Sequence, residues 1–111
     1  MLDTEKKLKI LAVGAHGDDI ELACGGTLAK AIERSHEVEM VLVTGNGSSD
    51  HNDVAIRVED VAEQEAKAAA KVLEVSKLHI LGYQDTCVPY SAELVSKLDE
   101  IIGELKPDII F

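Results

Sequence analysis

The chain has 111 residues, and 11 Lys+Arg against 21 Asp+Glu give a formal net charge of −10 at neutral pH, which excludes a cationic nucleic-acid-binding surface. Its length and its 46% hydrophobic content predict one compact unit. No apolar stretch approaches the roughly 18 to 20 residues of a membrane span, and the first residues lack the apolar core of a signal peptide, so we expect a cytoplasmic protein.

Strand-like and helix-like patterns alternate along the chain. Near-continuous apolar runs, typical of strands buried on both faces of a sheet, lie at residues 8–13, 38–43, 78–81 and 109–111. Apolar residues at spacings of three and four predict helices at residues 20–32, 58–73 and 94–105. The segment 45–50, rich in glycine and serine, is predicted to be a loop.

The order β-α-β-α-β-α-β with short connections predicts an α/β fold in three layers, a parallel sheet between helices. Counting the four predicted strands in chain order, we expect the sheet order 3-2-1-4. The predicted apolar face of the second helix consists of Val58, Val61, Ala62, Ala69, Val72 and Leu73. Cys24 and Cys87 are too few for a disulfide framework and are expected to be small core residues.

The densest polar cluster is the segment 15–21, directly after the first strand, where ligands bind in open α/β sheets. His16 and Asp19 lie three residues apart across the strand-to-helix turn and can converge on one Zn²⁺ ion, which accepts imidazole and carboxylate ligands. Asp18 between them can then point elsewhere. The alternative is that Asp18 or Asp19 only caps the helix, while His16 forms an ordinary hydrogen bond within the loop.

Other polar residues give weaker indications. The fingerprint G-x-G-x-x-G is absent after the first strand, and two adjacent carboxylates would repel a pyrophosphate, which disfavours a dinucleotide cofactor. We interpret His36, His51 and His79 as structural or solvated, and only His51 lies in a loop that could approach the cluster. Tyr83 and Asp85 follow the third strand and share the same sheet edge, with ordinary turn chemistry as the alternative.

The residues of the polar cluster also carry a resemblance to a known family. Residues 15–27 read A-H-G-D-D-I-E-L-A-C-G-G-T. They resemble the signature A-H-P-D-D-x-E-L-G-C-G-G-T of the zinc-dependent N-deacetylases of the PIG-L/LmbE family, which remove acetyl groups from N-acetylglucosamine-containing molecules. Further similarity lies in the loop containing Thr44, Asn46 and Gly47, in the alanine-rich helix 65–73, and in the loop 81–85.

The resemblance implies a Rossmann-like fold and a Zn²⁺ cofactor. His16 and Asp19 match the family's first two zinc ligands, and Asp18 matches its general base. Candidate substrate contacts, on weaker grounds, are Asn46, Tyr83 and Asp85. Three departures are Gly17 in place of proline, Ala23 in place of glycine, and no arginine near Ala62.

The family's third zinc ligand belongs to a histidine-rich motif after the fourth strand, beyond Phe111. We therefore expect residues 1–111 to be the N-terminal portion of a single deacetylase domain, inactive alone, whose partner is a small N-acetylated sugar. The sequence does not determine the oligomeric state, and a homo-oligomer is possible. Two alternatives remain at this point: a metal-free Rossmann-like binding or scaffold domain, and an esterase using the same site.

Overall fold

The structure, a computed structural model, describes residues 6–45, 48–49, 55–57 and 59–111, and the side chains of residues 6–45 and 61–111. The strands are β1 Lys9–Gly14, β2 Glu37–Thr44, β3 Ser48–Ser49, β4 Ala55–Arg57, β5 Lys77–Tyr83 and β6 Ile109–Ile110. The helices are α1 Gly17–Glu33, α2 Glu59–Leu73 and α3 Ala92–Leu105. None of the described helices combines the length and the apolar character that crossing a membrane requires.

Four of these strands form a parallel sheet with the order β5-β2-β1-β6. They are the four strands that the apolar runs predict, so the expected order 3-2-1-4 is confirmed. β1 pairs with β2 through partners such as Ile10 and Val38, and with β6 through Ile10 and Ile109. The sheet order therefore changes direction between β1 and β6, and in open α/β sheets ligands bind beside such a point, at the carboxyl ends of the strands.

Two short strands that the sequence does not predict lie between β2 and α2. β3 and β4 form a separate two-stranded antiparallel sheet, in which Ser48 pairs with Arg57. The expectation of a loop over residues 45–50 is therefore wrong for β3. Strands of two and three residues are too short to show the alternation by which a strand is recognised from sequence.

The core lies in two layers, one on each face of the four-stranded sheet, because alternate residues of a strand point to opposite faces. On one face, α1 and α2 cover the sheet in a cluster made of Leu8, Ile10, Ala12, Ile20, Leu28, Val38, Met40, Leu42 and Ala66. On the other face, α3 covers it in a cluster made of Leu11, Val41, Ile101 and Leu105. The predicted three-layer arrangement is confirmed.

The buried face of α2 differs from the predicted one. Ala62, Ala66 and Ala70, spaced four residues apart, are buried, whereas Val61 is exposed and Val72 is 83% exposed. Alanines on the inner face allow the helix to lie close to α1 and the sheet, and the larger valines then lie outside. Ala62 and Leu73 of the predicted face do pack inward, whereas the expectation is wrong for Val61 and Val72. The side chain of Val58 lies outside the described ones.

The two cysteines also behave differently from each other. Cys24 is half-buried and packs against the core, as expected, but Cys87 is exposed in the loop after β5. The expectation of a core position is therefore wrong for Cys87. Its neighbours Val88 and Tyr90 are also exposed, so the apolar composition of this segment does not indicate burial.

Candidate functional site

The site lies where β1 ends and α1 begins. Gly14, the last residue of β1, is buried, and a Cβ added there would lie 2.9 Å from Cγ1 of Ile20. Glycine is needed because the first turn of α1 passes this close to the strand. The close approach places the next residues, His16 to Asp19, directly above the carboxyl end of the sheet.

The start of α1 is capped by one of the two adjacent aspartates. The backbone N–H of His16 donates to Oδ2 of Asp19 at 2.8 Å, which satisfies a backbone donor just before the helix. Asp18 and Asp19 both lie in the first turn, where the helix dipole favours negative charge. The capping role that the sequence left open is thus present for Asp19. Because a carboxylate offers about four acceptor positions, capping leaves Asp19 able to bind a ligand as well.

The imidazole of His16 lies between two carboxylates. Its Nε2 is 2.7 Å from Oδ1 of Asp85, while its Nδ1 is 3.5 Å from Oδ2 of Asp19. Oδ1 of Asp85 also accepts the backbone N–H of Thr86 at 2.9 Å. The sequence places Asp85 on this edge of the sheet, but the contact with His16, from 69 positions away, is apparent only in the structure.

These contacts shift the ionisation of the pair. The hydrogen bond with Asp85 raises the pKa of His16 above its usual value, and the negative charge of Asp19 adds to the effect. The same hydrogen bond lowers the pKa of Asp85. The side chains of His16 and Asp85 remain 40% and 30% exposed, so solvent screens the attraction and the pair adds little to folding stability.

The end of β2 joins the two loops that carry His16 and Asp85. Thr44, which is buried, donates to the carbonyl oxygen of Ala15 from its backbone N–H at 3.1 Å and from its hydroxyl at 2.8 Å. The next residue, Gly45, donates its backbone N–H to the carbonyl oxygen of Tyr83 at 2.9 Å. Thr44, the last residue of β2, and Gly45, the residue after it, therefore fix the His16 turn on one side and the end of β5 on the other.

The remaining predicted site residues lie apart from this cluster or outside the description. The hydroxyl of Tyr83 donates to Oε1 of Glu93 at 2.9 Å, and Nζ of Lys97 lies 4.8 Å from the centre of the Tyr83 ring. This side chain is therefore fastened to the first turns of α3. Asn46 and His51 are outside the described side chains, and the predicted substrate contacts stay predictions.

The two other described histidines are structural, as the sequence indicates. Nδ1 of His36 accepts the backbone N–H of Leu8 at 3.1 Å, next to the start of β1. Nε2 of His79 is 2.7 Å from Oε2 of Glu39 on the neighbouring strand, and both side chains are largely buried.

The donor set and its spacing fit a zinc ion. Two atoms bound to one tetrahedral Zn²⁺ at about 2.0 to 2.1 Å are about 3.3 to 3.4 Å apart. The 3.5 Å between Nδ1 of His16 and Oδ2 of Asp19 is close to this value. The 2.7 Å between Nε2 and Asp85 is instead the length of a direct hydrogen bond. Within the part of the chain that the structure describes, no group of three or more His, Cys, Asp or Glu side chains could hold a metal ion.

The geometry defines a Rossmann-like α/β domain that carries a His-Asp pair on the turn after its first strand. The chain matches the family PIG-L, described as GlcNAc-PI de-N-acetylase, over residues 11–111. The chain therefore belongs to the PIG-L family, and the resemblance stated from the sequence is confirmed.

Individual relatives agree with this assignment. The chain is 30% identical over 105 residues to a diacetylchitobiose deacetylase of Thermococcus kodakarensis, covering 92% of this chain and 39% of that protein. It is 34% identical over 104 residues to the uncharacterized deacetylase YaiS of Escherichia coli, covering 92% of this chain and 52% of that protein. The solved N,N'-diacetylchitobiose deacetylase of Pyrococcus horikoshii superposes with a TM-score of 0.83 at 30% identity, covering 96% of this chain and 41% of that one. The chain thus spans about half the length, or less, of these relatives.

Proposed function

We propose that this chain carries half of the active site of a zinc-dependent N-deacetylase that acts on an N-acetylglucosamine-type sugar or conjugate. The observation that carries the proposal is the turn after β1, where Nδ1 of His16 and Oδ2 of Asp19 are 3.5 Å apart and Asp18 lies between them in sequence, exposed. Membership of the PIG-L family and the substrate named for the Thermococcus relative support the reaction class.

Each residue of the turn has a separate role in the proposal. His16 and Asp19 hold the Zn²⁺ ion, and a third ligand comes from beyond Phe111. When bound, the ion lowers the pKa of a water molecule and polarises the acetamide carbonyl. Asp18 accepts the proton of the attacking water at its carboxylate and is protonated when that step ends.

The substrate side of the site is also a proposal. The acetylated sugar lies at the carboxyl end of the sheet, beside the turn that carries His16, and Asn46 and Tyr83 are the side chains that we expect to contact it. The hydroxyl of Tyr83 already donates to Glu93, so a sugar hydroxyl would bind the remaining lone pair of that oxygen.

The experiment measures acetate release from N,N'-diacetylchitobiose and N-acetylglucosamine by the complete protein, with and without a zinc chelator. Release should depend on zinc and should be abolished in His16→Ala together with zinc binding. Asp99→Asn, a substitution of a polar residue on the exposed side of α3, is the control and should behave as the wild type. A protein that binds no zinc and releases no acetate would instead support the metal-free binding domain. Faster release from acetate esters than from acetamides would support the esterase.

A further inference from the structure

The strongest unexplained feature of the site is the contact between His16 and Asp85. The two residues follow strands β1 and β5, which are not neighbours because β2 lies between them. Their side chains nevertheless meet at 2.7 Å, which is a direct hydrogen bond. A contact that reaches across a whole strand requires both loops to be held in place.

Both loops are held by several hydrogen bonds. Gly45 fastens the start of the Asp85 loop through the carbonyl oxygen of Tyr83, and Thr44 fastens the His16 turn through Ala15. The carboxylate of Asp85 is itself oriented, since its Oδ1 accepts the N–H of Thr86 at 2.9 Å. Asp85 therefore meets His16 as a fixed acceptor rather than as a freely rotating side chain.

The direction of the hydrogen bond follows from the chemistry of the two groups. An ionised carboxylate has acceptors only, so Nε2 of His16 must be the donor. In the neutral imidazole, a proton on Nε2 leaves the lone pair on Nδ1. Nδ1 is the nitrogen that faces Oδ2 of Asp19 at 3.5 Å. The hydrogen bond from Nε2 to Asp85 thus leaves Nδ1 as the nitrogen that can bind a metal.

We propose that Asp85 is a positioning residue, which accepts the Nε2 proton of His16 and so presents Nδ1 to a zinc ion shared with Asp19. The proposal rests on the proposed function, because it requires His16 to bind zinc. It gives Asp85 a role in orienting His16 and not the substrate contact that the sequence suggested. Histidines that bind metals commonly donate their second N–H to a carboxylate, which orients the ring and increases its basicity. This chain provides that carboxylate from the loop after β5.

The first test is zinc affinity, measured by competition with a chelator in the complete protein. Asp85→Ala should weaken zinc binding about 10- to 100-fold, the usual cost of losing a carboxylate partner of a metal-binding histidine. Asp85→Asn should recover part of this loss, because its amide oxygen still accepts the Nε2 proton. The matched control, Asp99→Asn, should leave the affinity unchanged.

The second test does not require zinc or turnover. The ¹⁵N chemical shifts of the His16 ring in the metal-free protein distinguish a proton on Nε2 from one on Nδ1 when the ring is neutral. The wild type and Asp99→Asn should carry the proton on Nε2. Asp85→Ala should give a mixture of the two forms, and Asp85→Asn should restore the Nε2 form.

The outcomes separate this proposal from the proposed function. If Asp85→Ala leaves both the zinc affinity and the ring proton as in Asp99→Asn, the positioning role is wrong. If it changes only KM, with affinity and ring proton intact, Asp85 contacts substrate and the positioning role is again wrong. If the wild type binds no zinc, or His16→Ala binds it equally well, the proposed function fails. The ¹⁵N shifts would then still decide whether Asp85 controls the ring of His16.

Discussion

The two ends of the four-stranded sheet carry the same types of side chain in different arrangements. At the amino end, His36 accepts the N–H of Leu8, and Asp108 accepts the N–H of Lys9 at 2.9 Å. Each side chain there fastens the backbone of a strand. At the carboxyl end, the ring of His16 contacts only the carboxylates of Asp19 and Asp85 in the described structure. The side chains of His16, Asp19 and Asp85 are also 40%, 47% and 30% exposed, so a ligand can reach this cluster from solvent.

A second pair of residues makes the comparison closer. Ser76, before β5, donates to the carbonyl oxygen of Val38 from both its N–H and its hydroxyl, at 2.8 and 2.9 Å. Thr44, at the other end of the sheet, makes the same double contact with Ala15. The local chemistry is the same, but only Thr44 fixes a turn that carries a candidate metal ligand. The two ends therefore differ in function because the backbone that Thr44 holds carries His16, and the backbone that Ser76 holds carries no candidate ligand.

The largest expected effect is that of Asp18→Asn on turnover in the complete protein. Losing a general base lowers kcat by about 10²- to 10⁴-fold. Asn has nearly the shape of Asp, and residue 18 is exposed, so zinc content and thermal stability should stay at wild-type values. Steady-state kinetics with metal analysis provides the measurement. A near-normal kcat with zinc bound would reject Asp18 as the base.

The next effect is on stability, at the glycine beneath the site. Gly14→Ala should lower the free energy of unfolding by about 1 to 3 kcal/mol, because the new methyl group overlaps Ile20 and the first turn of α1 must move. Gly26→Ala is the matched control in α1, with no atom within 4 Å of the added Cβ. It should raise stability by about 0.5 to 1 kcal/mol. Denaturant unfolding of both variants measures the difference, and equal effects would contradict the close approach.

A smaller effect is expected for the two hydroxyls that make equivalent contacts. Thr44→Val removes a buried hydrogen bond and should cost about 0.5 to 1.5 kcal/mol of stability. It should also weaken zinc binding, since the turn that carries His16 is less firmly held. Ser76→Ala removes the corresponding bond at the other end and should leave the zinc affinity unchanged. Chelator competition on both variants checks this, and an equal loss in both would remove the distinction between the two ends.

The smallest expected effect is the contribution of Asp108, at the amino end of the sheet, to the pH dependence of stability. Hydrogen bonds from the N–H of Lys9 and from Lys6 lower the pKa of Asp108 in the folded protein. A group with a lowered folded pKa stabilises the fold above its unfolded pKa, and that contribution is lost as the pH falls through the folded value. Asp108→Asn should therefore lower the melting temperature slightly at pH 7, and the difference should shrink towards pH 3. Thermal melts across this range measure it, and a difference that grows on acidification would contradict the assignment.

The sheet could be predicted from the sequence because strands buried on both faces are continuous apolar runs, and short crossover connections restrict their order. The β3–β4 pair could not be predicted, since it is too short to have a pattern. The inner face of α2 was predicted only in part: Ala62 was included, but the buried Ala66 and Ala70 were not, since patterns of large apolar residues pass over alanines.

The candidate site also has a part that could be predicted from the sequence and a part that could not. The turn that carries His16 and Asp19 is local in sequence and follows directly after a buried strand, so its position could be predicted, while its metal chemistry stays a prediction. The hydrogen bond between His16 and Asp85 depends on the order of three strands and on the backbone contacts of Thr44 and Gly45, none of which leaves a local pattern. The sequence could therefore place Asp85 at the edge of the site without showing what it contacts.

The central claim is that His16 and Asp19 share one zinc ion at the carboxyl end of β1. The most direct measurement is an anomalous-scattering map, recorded at the zinc absorption edge, of crystals of the complete protein with zinc. We expect one peak, about 2.0 to 2.2 Å from Nδ1 of His16 and from a carboxylate oxygen of Asp19, with Asp85 still on Nε2. A zinc peak elsewhere, or none near His16, would contradict the account.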